Sequence, residues 1–115
     1  MLYLNEKSLA LVTNVYNNMY SHYQQYDISM NRNDVSGSAS IDILKQGAYV
    51  NKYYFYPDED KLNGDIGSIS IYGTHLQSHY ETISKSRNIF GFKVKSIDLI
   101  TQGTMMPFVD IYLEQ

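Results

Sequence analysis

Two aspartates and a set of aromatic residues are the side chains of this sequence whose types and spacing could do chemistry. Asp42 and Asp98 occupy the same position in two similar octapeptides, residues 40–47 and 96–103. A carboxylate beside tyrosine rings can hold an organic cation, because the opposite charges pair and the ring faces add cation–π attraction. The side chains expected to form such a binding site are Asp42, Asp98, Tyr54, Tyr56, Tyr72, Phe108, Asp110 and Tyr112.

The octapeptides are the centre of an internal repeat. They read Ser-Ile-Asp-Ile-Leu-Lys-Gln-Gly and Ser-Ile-Asp-Leu-Ile-Thr-Gln-Gly, with five identical positions. Ser-His-Tyr also occurs upstream of each copy, at residues 21–23 and 78–80, and an aromatic, β-branched run lies downstream of each. Self-similarity of this kind predicts that one structural unit occurs twice.

Hydrophobic periodicity and turn residues predict the elements of the first half. Apolar residues at 3–4 spacing indicate an amphipathic helix, alternating residues indicate strands, and clusters of Asn, Asp and Gly indicate loops. The predicted elements are an opening strand over residues 1–4, a helix over 6–25, a loop or irregular strand edge over 26–38, and strands over 39–44 and 49–56 joined by a hairpin turn. This order is β-α-β-β.

The second half is predicted to repeat this order. Its elements are a strand over residues 67–72, a helix over 75–87, a strand over 90–100, a turn over 101–104 and a strand over 108–113. Thr74 is placed to cap the helix, whose inward stripe is Leu76, Tyr80 and Ile83. We therefore expect a single α+β domain over residues 1–115, in which duplicated β-α-β-β units, 1–57 and 66–115, form one antiparallel sheet with two helices packed on one face.

Strand alternation assigns side chains to the two faces of this sheet. Ile41 and Ile43 belong with the apolar residues under the helices, so Asp42 and Asp98 are expected on the opposite face, here called the open face. The repeat offset of 56 residues extends the assignment to the following strands. It adds to the open face Lys52, Tyr54, Tyr56, Phe108, Asp110 and Tyr112, with a pseudo-twofold axis between the two halves.

Composition argues against several classes of function. The formal net charge is −3 and the basic residues are scattered, whereas a nucleic-acid-binding protein needs a basic surface for phosphate contact. The absence of cysteine excludes a disulfide framework and thiol catalysis. The sequence has no signal-peptide pattern and no long apolar run, so we expect a cytoplasmic protein that does not bind membranes. No motif for a cofactor is present.

Two groups of residues resemble metal sites without completing one. His75 and His79 lie four residues apart on the predicted second helix, but no third ligand has a matching spacing. The segment from Asp58 to Gly64 resembles a calcium loop, but Leu62 stands at its fifth position and no Glu follows at the twelfth. We therefore expect no metal site.

The order of elements and two local motifs resemble a known family. The motifs are Tyr72-Gly73 leading into the helix that carries Tyr80, and the closing strand Phe108-Val109-Asp110-Ile111-Tyr112-Leu113. In these the chain resembles the GyrI-like family, the effector-binding domain of multidrug-sensing transcription activators and of free-standing small proteins. The resemblance implies a groove between the halves that holds flat, often cationic molecules, with Asp98 at the position of the family's acidic residue. Without a helix-turn-helix segment before it, the domain is expected to stand alone.

Three functions are compatible with these residues. The first is a non-enzymatic binding protein whose open face holds a hydrophobic or cationic small molecule. The second is an interaction module, such as an inhibitor, immunity or secretion-accessory protein, that binds a partner protein through the same face or a sheet edge, with a homodimer as a further alternative. The third is a small hydrolase-like enzyme that uses Tyr112, Asp98 or Glu114. Met105 and Met106 belong either to the core or to an adaptable contact patch.

Overall fold

The computed structural model describes residues 13, 16, 17, 26–33, 38–57, 65–89 and 91–114. Within them lie seven strands, β1 (Asp27–Asn33), β2 (Ser38–Lys45), β3 (Ala48–Pro57), β4 (Asp65–Gly73), β5 (Asn88–Ile89), β6 (Phe92–Ile100) and β7 (Phe108–Glu114), with helix α1 (Leu76–Ser86) after β4. Thr13, Tyr16 and Asn17 are helical and fall within the predicted helix over residues 6–25, but the expectation of two helices packed on the sheet is not supported by the described residues. The rest of that helix, the opening strand over residues 1–4 and the segment from Asp58 to Gly64 lie outside the described residues.

The strands form one sheet in the order β1-β2-β3-β4-β7-β6-β5, and every neighbouring pair is antiparallel. The β2–β3 hairpin turns at Gln46 and Gly47, where the sequence predicts a turn. The expectation of an antiparallel sheet with helix on one face is confirmed. No helix among the described residues is both long and apolar enough to cross a membrane.

One face of the sheet carries the hydrophobic core. Because side chains alternate along a strand, every second residue of the central strands points to this face. The most deeply buried side chains there are Ile41, Ile43, Phe55, Ile69, Ile71, Val109, Ile111 and Leu113. Helix α1 covers this face with buried Ile83, and Leu76 and Tyr80 pack against the same cluster, as the predicted stripe requires. Burial of each large apolar side chain contributes roughly 1.5–3 kcal/mol to folding.

The strand order does not support two halves related by a twofold axis. Strands β2 and β6 run in the same direction, because each is antiparallel to a strand that is itself antiparallel to β4. β2 and β6 also present Asp42 and Asp98 on the same face of the sheet. However, β3 lies on one side of β2, whereas β7 lies on the opposite side of β6. A rotation that superimposes β2 on β6 with the same direction and the same face must also place the next strand on the same side. The observed arrangement does not meet this condition. The octapeptides therefore repeat a strand, and the expected duplicated β-α-β-β arrangement is not supported.

Three local predictions need correction. Residues 27–33 form strand β1, paired along its whole length with β2, because Ile28 and Met30 pack against the core. Thr74 does not cap helix α1. Its hydroxyl donates to the Val50 carbonyl oxygen at 3.3 Å, and the residue before the helix, His75, is left-handed with a φ of 59°. The strand predicted over residues 90–100 is β6 and begins at Phe92, and the two-residue strand β5 lies before the predicted range.

Candidate functional site

The strand register arranges the open face in rows, because residues directly opposite each other on paired strands share a face. One row crosses five strands as Ser40, Tyr54, Ser70, Asp110 and Asp98. A second row contains Asp42, Lys52 and Tyr72, and a third contains Tyr56, Ser68, Tyr112 and Ser96. The ring of Phe108 stacks on Tyr72. All eight predicted site residues therefore lie on the open face.

The aromatic residues of this face hold one another in place. Tyr72 stacks on Phe108 with 5.1 Å between ring centroids and meets Tyr54 edge-on at 5.6 Å. Tyr54 in turn stacks against Tyr56 at 6.3 Å. Such pairs contribute about 0.5–1.5 kcal/mol each beyond the area they bury. The four rings thus form a packed surface whose geometry is fixed without a ligand.

A cleft of about 610 Å³ opens along this aromatic surface. We call it the tyrosine cleft. It is lined by Tyr49, Asn51, Lys52, Tyr54, Tyr56, Tyr72, Gly73 and Met106. Its volume is within the range of about 300–1,000 Å³ typical of small-molecule sites. Of the predicted site residues, Tyr54, Tyr56 and Tyr72 line the cleft, whereas Asp42, Asp98, Phe108, Asp110 and Tyr112 lie on the same face outside its lining.

Asp42 is paired inside the protein. The residue is 6% exposed, and its Oδ1 atom lies 3.7 Å from the Lys52 ammonium on the neighbouring strand. Its Oδ2 atom accepts a hydrogen bond from the Asn31 amide at 3.2 Å. The carboxylate that the sequence suggested for a ligand cation therefore already faces a cation of the same hairpin.

Lys52 lies between two rings of the tyrosine cleft. Its Nζ atom is 5.4 Å from the ring centroid of Tyr49 and 5.3 Å from that of Tyr54. Hydrogen bonding to Tyr54 raises the pKa of Lys52, desolvation opposes this, and the charge of Asp42 adds to the rise. The side chain therefore stays charged at neutral pH.

Asp98 and Asp110 form a like-charged pair across β6 and β7. The Ser70 hydroxyl donates to Asp110 Oδ1 at 3.4 Å. Burial raises the pKa of Asp110 and the charge of Asp98 raises it further, while hydrogen bonds from Ser70 and Tyr112 oppose the rise. The Asp110 carboxyl therefore keeps its proton to a higher pH than an ordinary aspartate.

This pair leads to a prediction about stability and pH. Because the folded-state pKa of Asp110 is raised, the native state binds the proton more tightly than the unfolded state, so stability falls as the pH rises through that pKa. Asp110→Asn removes the penalty and keeps the Oδ1 acceptor for Ser70. We expect it to raise the free energy of unfolding by roughly 0.2–1 kcal/mol at pH 7.

Urea unfolding at pH 7 and in acid checks this prediction. The gain should shrink as the pH falls through the raised pKa of Asp110 towards 3.8, the ordinary value for aspartate, and should be lost well below it. Asp27→Asn, at an exposed position of β1, is the matched control and should change little at either pH. An Asp110→Asn protein less stable than the wild type at pH 7 would contradict the argument.

Five cleft residues were absent from the predicted site, namely Tyr49, Asn51, Lys52, Gly73 and Met106. Lys52 had a usable signal, because the repeat offset placed it on the open face and opposite charges often pair across a hairpin. Met106 also had one, since a short apolar stretch with methionine can form an adaptable contact. No comparable signal in the sequence pointed to Tyr49 or Gly73.

His75, which precedes helix α1, and His79 on the helix do not form a metal site with other residues that the structure describes. Burial, and to a lesser degree the charge of His75, lower the pKa of His79, so its imidazole is neutral at pH 7. In the described part of the chain, no three residues among His, Cys, Asp and Glu are grouped closely enough to hold a metal ion.

Comparison with known proteins does not assign this site. No protein-family model, no curated protein and no solved structure matches the chain. The resemblance to the GyrI-like family therefore stays a prediction, and the functional argument rests on the geometry of the open face.

Proposed function

We propose that this protein binds a flat, hydrophobic small molecule in the tyrosine cleft. The observation that carries the proposal is the cleft itself, about 610 Å³ in volume and lined by four tyrosines and a methionine. Such a lining offers broad apolar contact together with phenolic hydroxyls that can orient a ligand.

The packing of the rings supports this proposal. Tyr54 and Tyr72 are held by edge-on and stacked contacts, so little ordering is needed before a ligand binds. Met106, which is exposed, lies at the border of the cleft, and its flexible side chain can adapt to ligands of different outline. Burial chiefly raises the pKa of Tyr56, so its hydroxyl keeps its proton and can donate a hydrogen bond.

The proposed role is binding without catalysis. The residues that line the cleft include neither a carboxylate nor a histidine that could act as a general base. The raised pKa of Lys52 also makes its ammonium a poor base at neutral pH. We therefore assign no nucleophile and no reaction to this site.

A second candidate is a protein partner on the same face. Met105 and Met106 are exposed beside the open face, and Tyr49, Tyr56 and Tyr112 are exposed on it. Exposed aromatic and methionine side chains are enriched in protein interfaces. In this alternative Tyr112 contributes to binding as much as Tyr56. A ligand in the cleft, by contrast, would contact Tyr56 but not Tyr112.

Substitution of these two tyrosines tests the proposal. Tyr56 is 46% exposed and lines the cleft, and Tyr112 is 49% exposed on the same face outside it. We expect naphthamide, a neutral flat probe, to bind the wild-type protein in a calorimetric titration. Tyr56→Ala should weaken this binding by about tenfold, because one aromatic contact contributes about 0.5–1.5 kcal/mol in addition to the area it buries.

Tyr112→Ala is the matched control, since it removes a ring of similar exposure and should leave the affinity for naphthamide unchanged. Failure of naphthamide and of every other flat aromatic probe to bind would contradict the proposed function. Equal losses in the two variants would place the ligand outside the cleft and would also contradict it.

A further inference from the structure

The tyrosine cleft has a definite sign of charge. Lys52 is the charged residue of its lining, and the open-face carboxylates Asp42, Asp98 and Asp110 lie outside that lining. A ligand in the cleft therefore meets an ammonium group before it meets a carboxylate.

Asp42 does not cancel this charge where a ligand would bind. The carboxylate is nearly buried, whereas the side chain of Lys52 is 33% exposed. The ion pair thus presents its positive end to the cleft. Lysine carries three N–H donors, so an ammonium that faces Asp42 and Tyr54 still has a donor for a third partner.

The position of Lys52 also disfavours an organic cation. Its ammonium lies near the ring faces of Tyr49 and Tyr54, which a ligand cation would otherwise use. A cationic ligand would have to displace the ammonium or tolerate a like charge beside it.

We infer that the ligand is a flat aromatic acid whose carboxylate pairs with Lys52 while its ring system lies against the tyrosines of the cleft. This inference rests on the proposed function and adds the chemical class of the ligand. It differs from the expectation of a cationic ligand, which followed from the aspartates, the tyrosine faces and the family resemblance. A charge-assisted hydrogen bond between ammonium and carboxylate supplies the preference.

Three probes with one ring system test the inference by calorimetric titration. They are naphthoate, naphthamide and naphthylmethylammonium, which carry a negative charge, no charge and a positive charge. Naphthoate should bind about fivefold tighter than naphthamide, the gain expected of a partly exposed ion pair, and the ammonium probe should bind most weakly. Added salt should reduce the advantage of naphthoate.

The double variant Asp42→Asn/Lys52→Gln removes the charge of the cleft without leaving a buried carboxylate unpaired. This variant should bind naphthoate, naphthamide and naphthylmethylammonium with similar affinities. Lys85→Gln, at an exposed position of helix α1 on the other side of the sheet, is the control and should leave the order unchanged.

The outcomes separate this inference from the proposed function. If naphthylmethylammonium binds as tightly as naphthoate, or if the double variant keeps the preference for naphthoate, the inference is overturned while binding in the cleft stands. If none of the three probes binds, both are overturned.

Discussion

Replacing Gly73 by alanine is expected to lower the free energy of unfolding by about 3 kcal/mol. Gly73 ends strand β4 at the border of the tyrosine cleft, with a φ of 125° that L-amino acids rarely adopt. A Cβ atom there would collide with the carbonyl oxygen of Val50 and come within 2.8 Å of the Asn51 Cα atom. The free-energy costs of backbone strain and of overpacking would therefore add to each other.

The collision would also disturb the junction between β3 and β4. The backbone amide of Thr74 donates to the Val50 carbonyl oxygen at 3.1 Å. The side-chain amide of Asn51 donates to the Thr74 carbonyl oxygen, also at 3.1 Å. Urea unfolding followed by circular dichroism measures the loss. Gly91→Ala and Gly103→Ala are matched controls, because both glycines have positive φ but no atom within 4 Å of an added Cβ. A loss at Gly73 no larger than in these controls would contradict the role of close packing.

Lys52→Met is the second substitution with a large expected effect, a loss of about 2–3 kcal/mol in the free energy of unfolding. Removing one partner of a fully buried ion pair costs about 3–5 kcal/mol, and the partial exposure of Lys52 reduces this figure. The cost arises because the nearly buried carboxylate of Asp42 would lose the ammonium that faces it. The hydrogen bond from Asn31 remains but does not neutralise the carboxylate.

A double-mutant cycle distinguishes this effect from lost packing. Asp42→Asn/Lys52→Met should recover most of the stability, because the remaining amide can still accept from Asn31 and carries no charge. Lys85→Met, a substitution of the same type on the exposed surface of helix α1, should change stability by less than about 0.5 kcal/mol. If the double variant is as unstable as Lys52→Met, the unpaired charge is not the cause.

The faces of the sheet could be predicted from the sequence because side-chain alternation has a period of two. That rule placed Ile41 and Ile43 in the core and Asp42 and Asp98 on the open face. The register of the β2–β3 hairpin was harder to predict from the sequence. A regular hairpin around Gln46 and Gly47 would pair Ile43 with Val50, whereas an irregularity between Ile43 and Leu44 pairs Ile43 with Asn51.

This irregularity decides which residues form the site. A shift of one residue moves a whole strand segment to the other face. In the observed register Lys52, Tyr54 and Tyr56 lie on the open face, as the repeat offset predicted. A regular hairpin would have placed them on the core face. Bulges depend on local backbone geometry, and the composition of this hairpin does not indicate one.

The sequence left residues 26–38 as a loop or an irregular strand edge, and it did not predict the regular strand β1. It mispredicted the arrangement of the repeat for a different reason. β1 contains Asp27, Ser29, Asn31 and Asn33, a composition typical of loops, and its strand conformation depends on pairing with β2. The octapeptides determine a strand and its buried face. They contain no information on which side the next strand will pair, and that side differs between β2 and β6.

The candidate site was predicted in part. Three tyrosines of the predicted set line the cleft, because tyrosines on one sheet face can meet in a cluster. The expected charge of the ligand was inferred from the aspartates, the tyrosine faces and the family resemblance. The pairing of Asp42 with Lys52 could not be recognised before the register was known. The sequence therefore indicated the face that carries the cleft but not the sign of the charge presented in it.

Intermolecular nuclear Overhauser effects between isotope-labelled protein and bound naphthamide would locate the ligand directly. Binding in the tyrosine cleft predicts contacts from the naphthalene protons to the rings of Tyr54, Tyr56 and Tyr72. Contacts confined to the helix side of the sheet, at Leu76 and Tyr80 for example, would contradict it. So would a bound probe that shows no contact with the open face.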